Sequence, residues 1–259
     1  MTGDELLTSL RRGERILALG IRASRTAEVV RWAKAAGYHT IWIDMEHSTL
    51  PVDVVSQMCL CARDIGLMPW VRVPEREYGV INRVLDGGAL GIVIARVESA
   101  EQAQAAATAT RFAPHGQRSQ ISTLPVVDYA RLPAREFNER VNAATALKVL
   151  IESRAGVAAA DAIAAVDGVD VVALGCNDLS ADMGYPGEPT HPAVVAACRE
   201  VIAATVRHRK VAIVGGMPEG EALDSLRREG ATRFVFAGID SDLFLASLRE
   251  RAEAARRAP

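Results

Sequence analysis

Cysteine is scarce. Four in 259 residues cannot make a disulfide framework. Cys59 and Cys61 stand two apart in a predicted helix, where i and i+2 side chains diverge, so no structural zinc site is read from them. An excess of one charge is missing too. Thirty Lys and Arg against thirty-two Asp and Glu leave a formal net charge of −2. That balance gives no support to a nucleic-acid partner, whose phosphates demand a clearly basic face. The one basic concentration is the Arg-rich C-terminal tail. No run of about 18 uncharged apolar residues occurs, so no membrane span is expected. The N-terminal MTGDELLTSLRRGER places acids before bases and has no apolar core, unlike a secretory signal. A glycine-rich G-x-G-x-x-G turn is absent after the first predicted strand, which disfavours a doubly wound dinucleotide-binding sheet. What remains, 49% hydrophobic and 24% charged, is the composition of a core-forming chain, expected to be soluble and cytoplasmic.

Short apolar runs alternate with longer helical patterns. Strands are predicted at 16–21, 40–45, 68–73, 91–97, 147–152, 169–175, 211–216 and 233–238. Several are nearly continuous in Val, Ile and Leu, as parallel strands covered on both faces are. Helices are predicted at 26–36, 77–86, 100–110 and 192–207. The first ends at Gly37 and the second at Gly87-Gly88, while Pro192 suits a first helical turn. Eight strands each followed by a helix in this length predict a (β/α)8 barrel, read as one domain over residues 1–259. The long connection 111–146 is expected to hold a helix near 127–141.

In such a barrel the reactive groups gather at the C-terminal strand ends. The second predicted strand ends Asp44-Met45-Glu46-His47, the third carries Arg72, and the fourth carries Arg96 and Glu98. The fifth ends Glu152-Ser153 and the sixth Gly175-Cys176-Asn177-Asp178. Glu152 and Asp178 end adjacent strands, so their carboxylates either meet around a hard ion such as Mg²⁺ or Mn²⁺ or merely cap the helices that follow. Histidine as a residue type exchanges protons most readily near neutral pH, so His47 is the natural proton carrier, with Asp44 three residues away to orient it. Arg72 follows an apolar strand and needs an anion, either a protein carboxylate or a developing enolate oxygen. Arg118 either meets an anionic substrate or fixes the long loop. Cys176 reads as an apolar filler, and Trp32, Trp42 and Trp70 as packing residues. His191 reads as a helix flank, and His39, His115 and His208 as surface residues. Lys148 lies mid-strand, four residues before Glu152, and is set aside as an imine-forming group.

These motifs resemble a known family. Asp44-Met45-Glu46-His47, Val71-Arg72-Val73-Pro74, Leu85-Asp86-Gly87-Gly88-Ala89 and Val97-Glu98-Ser99-Ala100 are similar to those of the HpcH/HpaI aldolases. So are Ile151-Glu152-Ser153, the run from Gly175 to Ser180 with Met183-Gly184-Tyr185, and Ala237-Gly238-Ile239-Asp240. The resemblance implies a barrel of the phosphoenolpyruvate/pyruvate type and a class II aldolase working through a pyruvate enolate. Its substrates would be a 2-oxo acid and an aldehyde. By the same resemblance Glu152 and Asp178 would hold Mg²⁺ or Mn²⁺, with Co²⁺ a further candidate. His47 would be the acid/base group, Arg72 would stabilise the enolate, and Asp86 would raise the basicity of the histidine. Gly175, Cys176, Asn177 and Asp178 would border the substrate, Asn177 through its backbone. The implied assembly is a hexamer, a trimer of dimers with an exchanged C-terminal helix.

Three positions depart from the family pattern. Leu150 stands where glutamine is common, Cys176 where proline is, and Arg96 where methionine is. They imply retained enolate chemistry with an altered pocket for the second substrate. Arg96 and Arg118 would favour a more anionic partner, which keeps two alternatives in view: a citrate-forming or acyl-CoA lyase-like enzyme, and a non-catalytic barrel that binds a small acid.

Overall fold

A computed structural model describes residues 1–74 and 78–257. Its strands are β1 (Ile16–Ile21), β2 (Thr40–Asp44), β3 (Met68–Arg72), β4 (Gly91–Ile94), β5 (Ala146–Ile151), β6 (Val171–Gly175), β7 (Val211–Gly215) and β8 (Phe234–Ile239). All pairings are parallel, in the order β7-β6-β5-β4-β3-β2-β1-β8. An Ala212–Ala231 bridge and the Thr232 N–H on the Ala212 carbonyl (2.9 Å) bring β7 against the approach to β8, so the sheet nearly closes. This is the expected (β/α)8 barrel.

Period-two alternation sorts each strand between two cores. On β5, Leu147, Val149 and Ile151 face outward into a layer shared with the surrounding helices. Ala146 and Leu150 face inward with Ala18, Met68, Trp70, Val93, Ala173, Ile213 and Phe234. Space inside is made by Gly91, where a Cβ would stand 2.2 Å from the Trp70 ring.

The inner core has a floor that sequence reading did not anticipate. Helix α1 (Gly3–Arg11) buries Leu6, Leu7 and Leu10 against it. Thr2 and Glu5 form a reciprocal capping box at its start, a Thr-x-x-Glu signal available in the sequence.

The outer helices are α2 (Glu28–Ala35), α3 (Val52–Asp64), α4 (Tyr78–Asp86), α5 (Ala100–Thr110) and α6 (Ala134–Ala144). They continue as α7 (Arg154–Ala158), α8 (Ala160–Ala165), α9 (Cys176–Asp182), α10 (Pro192–Arg207), α11 (Glu221–Arg228) and α12 (Asp240–Arg257). The helix expected at 77–86 begins on Glu77, which lies outside the described residues. The helix expected near 127–141 forms later: a 3-10 turn occupies Pro125–Val127, Asp128 is left-handed, and α6 starts only after Pro133. The fourth strand stops at Ile94 because Arg96 turns to φ +50°. Trp32 was expected to pack but is 65% exposed, beside Leu243 and Phe244.

Candidate active site

The strand ends ring one mouth, and a cavity of about 230 Å³ descends from it into the barrel. Arg22, His47, Arg72, Glu152, Asn177 and Asp178 line the upper part. Glu152 directly follows β5 and continues the inward alternation of Ala146, Lys148 and Leu150. It is buried, and the backbone N–H of Arg96 donates to its Oε2 at 2.9 Å. Arg96 adopts a backbone conformation that non-glycine residues seldom take, and doing so aims that N–H at the carboxylate. Gly175, at the end of the neighbouring strand, leaves room for it: a Cβ there would stand 2.4 Å from Glu152 Oε1.

Capping does not explain these carboxylates. Ser153 caps α7, its hydroxyl accepting the Gly156 N–H at 3.2 Å, so Glu152 is free of that task. Asp178 lies exposed in the first turn of α9. Burial is the main cause that pushes Glu152 up to about 7; the nearby Asp178 and Glu46 charges add to it, while the Arg96 N–H and Arg72 oppose it. Among the described residues no group of three or more His, Cys, Asp and Glu side chains forms a ligand cluster. The mouth instead offers two oxygen donors that repel each other when both are ionised. That arrangement fits a hard divalent ion with coordination positions left for a substrate.

Arg72 is buried at the end of β3, and its anion is the protein's own. Its Nε and Nη2 donate to Asp44 at 2.9 and 2.6 Å, and Nη1 lies 2.7 Å from Glu46 Oε2. The Nη1–Glu46 approach is an ion pair without hydrogen-bond alignment, so two of the five N–H groups are taken by Asp44 and three remain. Asp44 also accepts from Arg22 Nε at 2.8 Å and from the backbone N–H groups of Glu46 and His47 at 3.1 and 3.2 Å. Against its burial, these partners hold it down at about 2. Asp44 was expected to orient the imidazole. The structure gives it the His47 backbone and two guanidiniums instead, because a three-residue spacing in a turn returns the main chain, not the ring. The His47 ring is 57% exposed, with Nε2 3.7 Å from Glu46.

Two groups that sequence reasoning missed thus complete the site. Arg22 directly follows β1, the same positional signal that singled out Arg72. Glu46 lies between Asp44 and His47 in the motif already noted.

Three other expectations fall elsewhere. Asp86 ends α4, on the side of the barrel opposite the mouth, where Arg118 Nη2 donates to it at 2.7 Å. Within one chain it does not meet His47. Arg118 is itself buried over the Phe112 ring, so it fixes the 111–118 loop. Arg96 pairs with Glu98 and Asp182 at 3.5 and 3.6 Å. Arg118 is thus committed to Asp86, whereas Arg96 is 46% exposed and holds only these loose ion pairs. Cys176 is buried against Cys198, sulfurs 3.8 Å apart, as a filler would be. Lys148, set aside as mid-strand, lines the same cavity as Glu152.

A family model described as HpcH/HpaI aldolase/citrate lyase matches residues 22–247, which span every strand end described above except that of β1. The chain belongs to the HpcH/HpaI aldolase/citrate lyase family. A 4-hydroxy-4-methyl-2-oxoglutarate aldolase of Hapsidospora irregularis is 39% identical over 244 residues, 92% of this chain and 89% of that one. A hydroxypyruvate/pyruvate aldolase of Roseobacter denitrificans is 34% identical over 245 residues, 92% and 91% of the two chains. The crystal structure of an HpcH/HpaI aldolase from Desulfitobacterium hafniense superposes with a TM-score of 0.89 at 25% identity, covering 98% and 97%. In this HpcH/HpaI member the strand ends bring His47, Arg72, Glu152 and Asp178 to one mouth with Asp44 beside Arg72, while Arg22 joins them from the first residue of the matched segment.

Proposed function

We propose that the chain is a divalent-metal-dependent aldolase that makes and breaks the bond between C3 of pyruvate and the carbonyl carbon of an acceptor. The observation that carries this reading is the convergence of Glu152, Asp178, Arg72 and His47 on one cavity sized for a small acid. Its relatives are named as a 4-hydroxy-4-methyl-2-oxoglutarate aldolase and a hydroxypyruvate/pyruvate aldolase, which supports a small 2-oxo acid as substrate. Glu152 and Asp178 would hold the ion, which supplies Lewis acidity at the 2-oxo carbonyl and so removes the need for a lysine imine. Arg72 turns N–H groups not taken by Asp44 to the keto oxygen, where negative charge grows as the enolate forms. Asp44, Glu46 and Arg22 hold that guanidinium in place. His47 takes the proton from the 4-hydroxyl during cleavage; C3–C4 breaks, its electron pair enters the enolate, and the acceptor carbonyl leaves. A proton returned to C3 gives pyruvate. Asn177 borders the substrate beside Gly175 and Cys176.

The test is proton exchange at the pyruvate methyl group in D₂O. With Mg²⁺ or Mn²⁺ the methyl signal is expected to disappear, and chelation with EDTA to stop the loss. Retention of the signal with every divalent ion tried would sink the pyruvate-enolate reading.

We also read this chain as an oligomer, a hexamer arranged as a trimer of dimers. Helix α12 runs for 18 residues without burying one of them, and Leu243, Phe244, Leu245 and Leu248 are exposed along it. So much apolar surface on a charge-balanced protein calls for a partner, here a second copy of the chain. Asp86 would then act on a neighbour's His47, since it cannot reach its own. Phe244→Glu is expected to lower the mass seen by sedimentation; an unsubstituted chain that already sediments as a monomer would refute the assembly. The cysteines are free thiols, in keeping with a reducing cytoplasm.

A further inference from the structure

Lys148 sits at the bottom of the cavity whose mouth holds Glu152. A rise of about 3.3 Å per residue sets its backbone about 13 Å below that of the glutamate, on the same inward face of β5. Its side chain is 3% exposed. The ammonium lies 4.3 Å from the Trp70 ring centroid, 4.4 Å from Phe234 and 5.8 Å from Trp42. Below it, α1 seals the barrel with Leu6, Leu7 and Leu10.

Every other deeply buried cation in the described residues has a carboxylate. Arg72 has Asp44, Arg111 has Asp170 at 2.5 Å, and Arg118 has Asp86. Lys148 has neither a carboxylate nor any hydrogen-bond acceptor among the described residues. The rings around it repeat the deficit: Trp42 Nε1 and Trp70 Nε1 are both buried without a partner. Lys148 and Trp42 line the deep end of the cavity, and the Trp70 ring packs against the ammonium from behind. An orphaned buried donor destabilises the fold, and an apolar side chain of similar length would fill the site without that cost. The aromatic faces favour a cation but give no acceptor. Burial alone brings Lys148 down to about 7, so the cluster tolerates the charge poorly until an anion arrives.

We propose that Lys148, beside the Trp42 indole, forms a subsite for the distal carboxylate of a 2-oxo dicarboxylic acid. The proposal rests on the aldolase reading for the far end of the ligand. The 2-oxo acid head stays with Arg72, Glu152 and Asp178 at the mouth, and the chain descends past Leu150, Ala173 and Ile213. Leu150 belongs to this picture, since it provides an apolar wall where a polar amide would compete for the head group. The acceptor is then itself anionic, and the aldol is a dicarboxylate.

Equilibrium binding separates this from catalysis. In Mn²⁺, quenching of tryptophan fluorescence would compare 2-oxoglutarate with 2-oxopentanoate, which has the same chain length and no distal carboxylate. The unsubstituted protein is expected to bind the dicarboxylate at least ~10-fold more tightly, the value of one charge-assisted hydrogen bond of about 1.5–3 kcal/mol. Lys148→Met is expected to bring the two affinities within about twofold. Because the readout is a ratio within each protein, a general loss of affinity does not imitate it. Equal affinities in the unsubstituted protein, or an unchanged ratio in K148M, would overturn the subsite. So would a borohydride-trapped adduct on Lys148, heavier by pyruvate less one oxygen, which would assign the amine to imine chemistry. Methyl-proton exchange by the unsubstituted enzyme, run alongside, reports on the aldolase reading separately.

Discussion

Glu152→Gln is expected to have opposite effects on activity and on the stability of the metal-free protein. The substitution keeps the shape and the acceptor for the Arg96 N–H while removing the charge. Pyruvate exchange and aldol cleavage should fall at least ~10³-fold, because Lewis-acid stabilisation is worth several kcal/mol and each 1.36 kcal/mol is tenfold. Stability moves the other way, and its sign follows from the titration. The folded protein binds the Glu152 proton up to about pH 7, against an ordinary value of 4.5. A carboxyl raised in this way contributes stability that is complete below about 4.5 and lost as pH rises through about 7. The metal-free parent should therefore melt lower at pH 8 than its E152Q variant, with the gap closing toward pH 5. Divalent ions compete with that proton, so Mn²⁺ should raise the melting temperature of the parent strongly at pH 8 and weakly at pH 5, and leave E152Q nearly unmoved. Thermal melts across pH with and without Mn²⁺ check all three arms. An E152Q protein within tenfold of the parent in exchange would remove Glu152 from the chemistry.

The positions behind that experiment were readable because they follow from chain periodicity alone. β-rich runs and glycine-terminated helices fix where each strand ends, and a barrel gathers those ends at one mouth. Glu152 and Asp178 become neighbours because β5 pairs with β6. Partnerships were much less readable. The spacing of Asp44 and His47 suggested a carboxylate on an imidazole, yet Asp44 answers two guanidiniums that arrive from β1 and β3. Arg118 and Asp86 are 32 residues apart, and no local pattern announces their pairing. Lys148 shows the limit from the other side. Counting back by twos from Glu152 puts it on the inward face, but only the three rings from β2, β3 and β8 reveal that it has no acceptor. Long-range electrostatics depends on which strands become neighbours and in what register, and hydropathy carries little of that.

Asp44→Ala is the second large effect expected, and it tests whether Arg72 is held or merely present. Asp44 is buried and accepts five N–H groups, two from Arg72, one from Arg22 and two from the backbone of the β2 turn. Removing it leaves a buried guanidinium with Glu46 alone, and breaking such a pair from one side costs about 3–5 kcal/mol. For a chain of this size that is a fall of roughly 6–20 °C in melting temperature. Replacing both partners, as in Asp44→Ala with Arg72→Met, should cost less than the sum of the two single changes, since no unpaired buried charge survives. The acid limb gives the sign. Asp44 is held down at about 2 from an ordinary 3.8, so its contribution is full above about pH 4 and disappears as pH falls through about 2. The parent should lose stability across that window, and D44A should lose less. Activity should drop by about 10² even at pH 7 and low temperature where D44A stays folded, since a displacement of about 1 Å in a positioning contact costs that much. A folded D44A with parental melting and exchange would show that Glu46 alone suffices to hold Arg72.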